Sequence, residues 1–420
     1  MPFPVSSTAA VHAAVADAHR RQWAQVLATV TRLTGDLDLA EECVQDAYAK
    51  AITVWAISGI PANPPSWLTV TARHLALDQL RRSVTLKRKL PLLAADGGHM
   101  DAIDRPLREG EVFPDDRLRL VFTCCHPALA VEAQVALTLR LICGLSTVEV
   151  ARCLLINETT MAARITRAKK KITGAGIPYR VPCPEELPGR VDAVCSVVYL
   201  VYTAGHTATT GDDLTRPDLA ERALELARML RMLLPDSNDV TGLLALILLT
   251  DARSGTRTDQ DGHLQLLAEQ DRTRWDRAAI TEGTALVREA LGRRPPSRYA
   301  VQAAIAAVHA QSPDFKATDW AEIVGLYDLL TTRWPSPVVA LNRAVAIGFA
   351  DGPHAGLAAL DDLAAEPQLA QYPYLSAARA DFHRHLGHID QARLAYEEAR
   401  ILTDNATERD FLTERINTLP

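Results

Sequence analysis

LSTVEVARCLLINETTMAARITRAKKKI, residues 145–172, carries two apolar patterns of helical spacing separated by a short turn. Val148, Val150 and Ala151, then Leu154, Leu155 and Ile156, predict one short buried helix, and Met161, Ile165 and Ala168 predict a second. Asn157 is placed to cap the second helix, which leaves Glu158, Thr159 and Thr160 in an exposed first turn where a chain can meet phosphates and base edges. The pattern is that of a helix-turn-helix. Arg164, Arg167, Lys169, Lys170 and Lys171 follow with no acid among them, so the outer face reads as a phosphate-binding stripe. Leu155 holds the turn position often given to glycine, and the corner must be rounded some other way. Basic helical pairs also occur as solvated faces, so the reading calls for a second, independent stretch.

That stretch lies upstream. SWLTVTARHLALDQLRRSVTLKRK, residues 66–89, offers Trp67, Leu68, Thr71, Leu75 and Leu80 for burial. Arg73, His74, Arg81 and Arg82 fall on or beside the exposed face, followed by Lys87, Arg88 and Lys89, with Asp78 as the single acid from Arg73 onward. Basic groups next to a tryptophan suit a surface that holds single-stranded or melting DNA; for His74 alone, a satisfied surface histidine is the plainer alternative. Two helices precede it. The first runs through Trp23, Val26, Leu27, Val30 and Leu33 to Thr34-Gly35. The second, LAEECVQDAYAKAITVWA, has Leu39, Cys43, Ala47, Ile52 and Trp55 as its expected inner stripe, and Glu41, Glu42, Gln45 and Asp46 on the other face. These acids are either dipole complements or a docking face for a basic partner helix. Residues 90–113 contain Gly, Asp and Pro and read as a linker, after which Leu118, Leu120, Val121 and Phe122 resume a helical pattern.

Composition sets the bounds. A chain of 420 residues has room for several cores, and aromatic residues at 5% with few alternating β-branched runs predict an all-α protein. The net charge of -6 hides an asymmetry: up to Gly189 there are 22 Lys+Arg against 19 Asp+Glu, and from Arg190 onward 23 against 32. A basic N-terminal part beside an acidic C-terminal part suggests DNA for one and protein contact or self-restraint for the other. The start of the chain has no secretory pattern and no apolar run reaches the roughly 18 residues of a membrane span, so a cytoplasmic location without membrane contact is expected. The seven cysteines show no CxxC pair. Cys124-Cys125-His126 is the one conceivable metal seed, but no second ligand pair follows, so neither metal nor cofactor is expected. No nucleophile-base pairing or phosphate loop suggests catalysis.

Together these stretches resemble a bacterial RNA polymerase sigma factor of the extracytoplasmic-function class. GDLDLAEECVQDAYAKAITVW resembles that family's polymerase-clamp-binding helix, SWLTVTARHLALDQLRR its promoter-melting helix, and residues 145–172 its helix for the upstream promoter element. The resemblance implies core RNA polymerase and promoter DNA as partners. It implies that Glu41, Glu42, Gln45 and Asp46 face the polymerase clamp and that Arg73 and His74 contact an unstacked base, although the family often has Asn where His74 stands. Arg81 and Arg82 would hold phosphates, Thr159, Thr160, Arg164 and Arg167 would enter the major groove, and Lys169, Lys170 and Lys171 would lie on phosphate. The implied domains are residues 1–89, for polymerase binding and promoter melting, and residues 114–177, the helix-turn-helix. A ligand-sensing helix-turn-helix regulator that acts without polymerase is the alternative.

Residues 178–420 then form a helical C-terminal domain that most sigma factors of this class lack. RADFHRHLGHIDQARLAYEEARILTDN resembles a tetratricopeptide unit, with Gly387, Ala392, Tyr396 and Ala399 at that repeat's spacings, and a preceding helix pair bends at Gly352. Stacked helix pairs forming a short solenoid are expected. By resemblance this extension governs activity, through an unknown regulator or ligand. His206, Asp212, Asp213, Asp271, Arg272 and Trp275 are its candidate pocket or interface residues, with caps and salt bridges as their ordinary alternative.

Overall fold

The structure is a computed structural model that describes residues 8–89, 116–154, 156–208 and 210–420. The expected linker at 90–113 and Leu155 lie outside the described residues, as do the side chains of Lys87, Arg88 and Lys89. The chain divides into two units, Met1–Val197 and Val198–Pro420.

The N-terminal unit is built around α1 (Thr8–Thr34), whose Val11, Trp23, Val26, Leu27 and Val30 are buried. Helix α2 (Leu37–Ser58) starts where Asp36 accepts the Asp38 and Leu39 amides at 2.8 and 3.1 Å. It turns Ala40, Val44, Ala47, Tyr48, Ala51 and Trp55 inward. Ile52, expected in that stripe, is 38% exposed, because it stands one helical step off the 3.6-residue line through Ala51 and Trp55. Helix α3 (Pro64–Lys89) buries Leu68, Ala72 and Ala76, and the two alanines let its backbone approach closely. Leu68 is fully buried and alone contributes roughly 2 kcal/mol of hydrophobic stabilisation.

Helices α4 (Asp116–Cys124) and α5 (Val131–Leu137), the latter running into a π-helical turn at Thr138–Ile142, support the helix-turn-helix. Its first helix, α6 (Thr147–Cys153), opens on a capping box: the Glu149 amide donates to Ser146 Oγ at 3.2 Å and the Ser146 amide to the Glu149 carboxylate at 2.7 Å. Asn157 caps α7 (Glu158–Gly174) as expected, accepting the Thr160 amide at 2.8 Å. After α6 the Ile156 amide reaches the Ala151 carbonyl at 2.9 Å. Val148, expected to be buried, is 38% exposed.

The sequence suggests two small domains on a tether, whereas the structure gathers both on α1. Trp23 Nε1 donates to the Leu141 carbonyl at 3.1 Å, Tyr179 Oη to the Ala28 carbonyl at 2.9 Å, and Arg32 pairs with Asp116 at 3.0 Å. Gly144, at φ 73°, sits where a Cβ would stand 3.0 Å from both His19 and Trp23. Its conformation strains any side chain placed there, and the two neighbouring rings would have to give way to it.

The C-terminal unit is helical, and α8 (Leu187–His206) crosses the boundary into it. It continues through α9 (Pro217–Leu233), α10 (Asn238–Asp251), α11 (Arg277–Gly292) and α12 (Arg298–Gln311). Helix α10 is buried from Val240 to Leu249 on all sides and packs on α9, α11 and α12, as an all-round apolar helix must. Hairpins follow: α13 (Trp320–Arg333) with α14 (Pro337–Asp351), then α15 (Pro353–Asp361), α16 (Pro373–His385), α17 (Ile389–Leu402) and α18 (Ala406–Asn417). The tetratricopeptide-like spacing has its expected consequence, with Ala392, Tyr396 and Ala399 buried and Gly387 turning at φ 75°. The Phe382 ring of α16 fills the space at Gly348 of α14, where a Cβ would come within 2.0 Å of it, so the successive pairs interlock. A two-residue parallel pairing, Thr210–Gly211 with Asp404–Asn405, is the one sheet among the described residues. Buried Asn405 donates to the Ala208 and Asp213 carbonyls at 3.1 and 2.9 Å while capping α18.

Candidate nucleic-acid interface

Helix α7 buries Met161, Ile165, Ala168 and Ile172, and this one apolar line fixes the direction of every other side chain on it. Thr159, Thr160, Arg167, Lys170 and Lys171 are exposed and Arg164 is half-buried. The first turn offers unpaired amide donors beyond the Asn157 cap, and the positive end of the helix dipole favours an anion there. On α3, Arg73, His74, Arg81 and Arg82 are all exposed, with Arg81 3.6 Å from Asp78. Trp67, half-buried, meets Trp55 edge-to-face at 5.5 Å and anchors the start of this helix. Two cationic, solvent-facing helices suit phosphate contact, and threonine and arginine in the first turns of α7 suit base edges.

The acidic face of α2 is divided. Glu42, Gln45 and Asp46 are exposed, whereas Glu41 is buried at 6% exposure. Its carboxylate pairs with Arg140 and accepts Lys169 Nζ at 2.6 Å; the same Nζ reaches Asp38 at 2.7 Å. Gln45 Nε2 donates to the other Glu41 oxygen at 3.2 Å. Lys169 therefore points inward and not along the phosphate stripe, and Glu41 not toward solvent. The cause is electrostatic: a carboxylate this buried needs a counter-charge, and α7 supplies one. Burial alone would lower the Lys169 pKa, but Glu41 and Asp38 outweigh it and raise it. Arg140, which the sequence reading passed over, is the second cation. Its signal was an arginine inside the otherwise apolar run VALTLRLIC. Near the C-terminal end of α2, Ile57 is 82% exposed and Ile52 and Val54 are partly so, an apolar surface beside the exposed acids.

Cys124 and Cys125 are buried thiols, pushed up in pKa by burial, and His126 Nδ1 accepts the Ala128 amide. Asp271 caps a short turn by accepting from Thr273, and Arg272 stacks 4.6 Å over Trp275 while donating to the His309 and Ser312 carbonyls. Asp212 and Asp213 are engaged through backbone carbonyls, by Thr407 and Asn405. His206 is held neutral, its pKa pushed down to about 2 by burial and by Arg257 and Arg253.

Residues 14–85 match the family Sigma-70 region 2 and residues 119–172 match Sigma-70, region 4, so the two cationic helices fall in the two regions that define this class of non-enzymatic transcription initiation factors. The chain belongs to the sigma factors of the extracytoplasmic-function class, in the subgroup with a long helical C-terminal extension. Within that extension, residues 190–291 match a family of unknown function (DUF6596). An uncharacterized protein of Rhizobium meliloti (strain 1021) is 38% identical over 399 residues, covering 94% of this chain and 93% of that protein. A protein of Mycobacterium tuberculosis named "Probable ECF RNA polymerase sigma factor SigI" is 27% identical over 172 residues, 40% of this chain and 57% of its own length. No solved structure matches the chain. No described helix is long and apolar enough to cross a membrane.

Proposed function

We propose that this chain directs core RNA polymerase to specific promoters and that its C-terminal unit modulates that activity. The observation that carries the reading is the pairing of one exposed acidic and apolar face on α2 with two separate cationic helices, α3 and α7, in regions of matching family. Glu42, Gln45 and Asp46 dock on the polymerase. Arg73 and His74 receive a base flipped from the stack, Arg81 and Arg82 hold phosphates, and Thr159, Thr160, Arg164 and Arg167 read the upstream element, with Lys170 and Lys171 on phosphate. Flipping a base costs a few kcal/mol, which the protein pocket must return.

Glu41 and Lys169 belong to opposite surfaces in this scheme, yet they hold each other in the free chain. The bound state therefore requires α7 to leave α2, freeing Glu41 for the clamp and Lys169 for phosphate. The N-terminal unit is in this respect closed until polymerase or DNA competes for those charges. Run-off transcription with core polymerase tests the proposal, comparing the full chain with one ending at residue 186, ahead of α8. A promoter-specific transcript whose yield changes on truncation supports both parts, a transcript unaffected by truncation removes the modulation, and no promoter-specific transcript from either form removes the whole.

A further inference from the structure

The C-terminal unit is acidic overall, yet among its described residues one largely enclosed arginine, Arg253, has no carboxylate beside it. Arg253, just after α10, is half-buried, and its polar contact is His206 Nε2 at 3.5 Å. No carboxylate lies within 4.0 Å of it among the described residues. The charged neighbour it feels is Arg257, itself spent on the His206 carbonyl and Thr207. His206 is neutral and cannot offset either guanidinium. Burial lowers the Arg253 pKa to about 10, which leaves it charged at neutral pH.

Arg253 lines a cavity of about 550 Å³ together with Tyr199, Trp275, Gln302 and His309. Two further polar atoms on that wall, Gln302 Oε1 and His309 Nδ1, are buried with no hydrogen-bond partner. Two unsatisfied polar atoms and a guanidinium with no carboxylate beside it, converging on one cavity, are costly to keep buried and favour a polar ligand there. A second cavity of about 650 Å³ adjoins it, sharing Leu267, His309, Tyr327 and Asn342 in its lining. Its walls are aromatic, with Trp320 and Phe349 stacked at 4.6 Å and Phe315 edge-on to Trp320 at 5.2 Å. The charges on its rim are already paired, Arg384 with Asp381 and Arg415 with Glu269. One chamber thus presents a cation with unpaired polar atoms and the next an apolar bed, both of a volume usual for small-molecule sites.

We infer that the C-terminal unit binds a small amphipathic carboxylate, with the carboxylate on Arg253 and His309 Nδ1 and its aromatic or aliphatic body against the wall formed by Trp320, Phe349 and Tyr327. A carboxylate matches the fork of one guanidinium, whereas a dianionic phosphate would carry charge that a single lining arginine does not neutralise. Binding requires neither polymerase nor DNA, so it is decided independently of the promoter reading.

The test titrates the full chain with 3-phenylpropionate and octanoate, each beside its primary amide, and with inorganic phosphate. Trp275 and Trp320, on the two cavity walls, report by fluorescence, and calorimetry gives the affinity. At least one carboxylate should bind saturably and about tenfold or more tighter than its amide, a difference of about 1.4 kcal/mol. Arg253→Gln should abolish that preference and Arg253→Lys should keep part of it. No saturable binding by either carboxylate up to millimolar concentration, equal binding of acid and amide, or phosphate binding as tightly as the acids would overturn the inference. The acid-to-amide comparison on the unaltered chain stands even if Arg253→Gln fails to fold.

Discussion

Glu41→Gln probes the contact that closes the N-terminal unit. The Glu41 side chain is 7% exposed and lies between Lys169 at 11% and Arg140 at 16%. Neutralising it leaves two largely buried cations facing an amide. Removing one partner of a buried pair costs about 3–5 kcal/mol, and Asp38 stays close to Lys169 but is mostly in water, so about 3 kcal/mol is expected here. Lys169→Met should cost less, about 1–2 kcal/mol, because Glu41 keeps Arg140 and Gln45. The double variant should recover part of the sum, giving a coupling energy of about 2 kcal/mol. Amide hydrogen exchange of α2 and α7 in the full chain reads this directly, since about 3 kcal/mol corresponds to exchange on the order of a hundredfold faster. If Glu41→Gln leaves exchange in α7 within a few-fold of the parent and the cycle shows no coupling, the pair does not hold the regions together in solution.

Two further outcomes follow from the same geometry. His206 and His309 are buried neutral, with pKa values lowered to about 2 and about 4 by burial and neighbouring arginines. Their stabilisation is therefore fully present above the unfolded histidine pKa and is lost as pH falls below it. At pH 5.5 each should cost up to about 1.4 kcal/mol relative to neutral pH, partly offset by the raised carboxyl of Asp251, and calorimetric melting at pH 7.5 and 5.5 should show the C-terminal transition moving down while remaining flat above pH 7. On DNA, Arg164→Ala should relax promoter choice by about 1–3 kcal/mol, whereas Lys170→Ala should weaken all sequences alike and flatten the salt dependence by about one counter-ion; equal losses on every sequence from both would remove that division of roles.

The helices of both regions, the Asn157 cap and the exposed cations of α3 and α7 were legible because each depends on local spacing. Ile52 and Val148 were misplaced for the same reason: one residue of slip on a helix moves a side chain about 100° around it. The Glu41–Lys169 pair was not legible. Its members are 128 residues apart, and a row of acids and a row of lysines do not say which of them will meet. The same holds for Arg253, whose cavity exists only once α8, α10, α12 and α14 are packed; of the six C-terminal residues singled out from polar-rich motifs, Asp271 caps a turn, Asp212 and Asp213 accept through their backbone carbonyls, and Trp275 lines that same cavity. The tetratricopeptide-like spacing at Gly387 was visible, but the matching seat for Phe382 at Gly348 required the neighbouring pair.

The most direct measurement is equilibrium association of the purified full chain with core RNA polymerase in the absence of DNA, alongside Glu42→Lys with Asp46→Lys. The account predicts saturable one-to-one binding that the charge-reversed variant weakens by at least about tenfold, or about 1.4 kcal/mol, with its helical content intact. A folded chain that binds promoter DNA yet shows no affinity for the polymerase would contradict it.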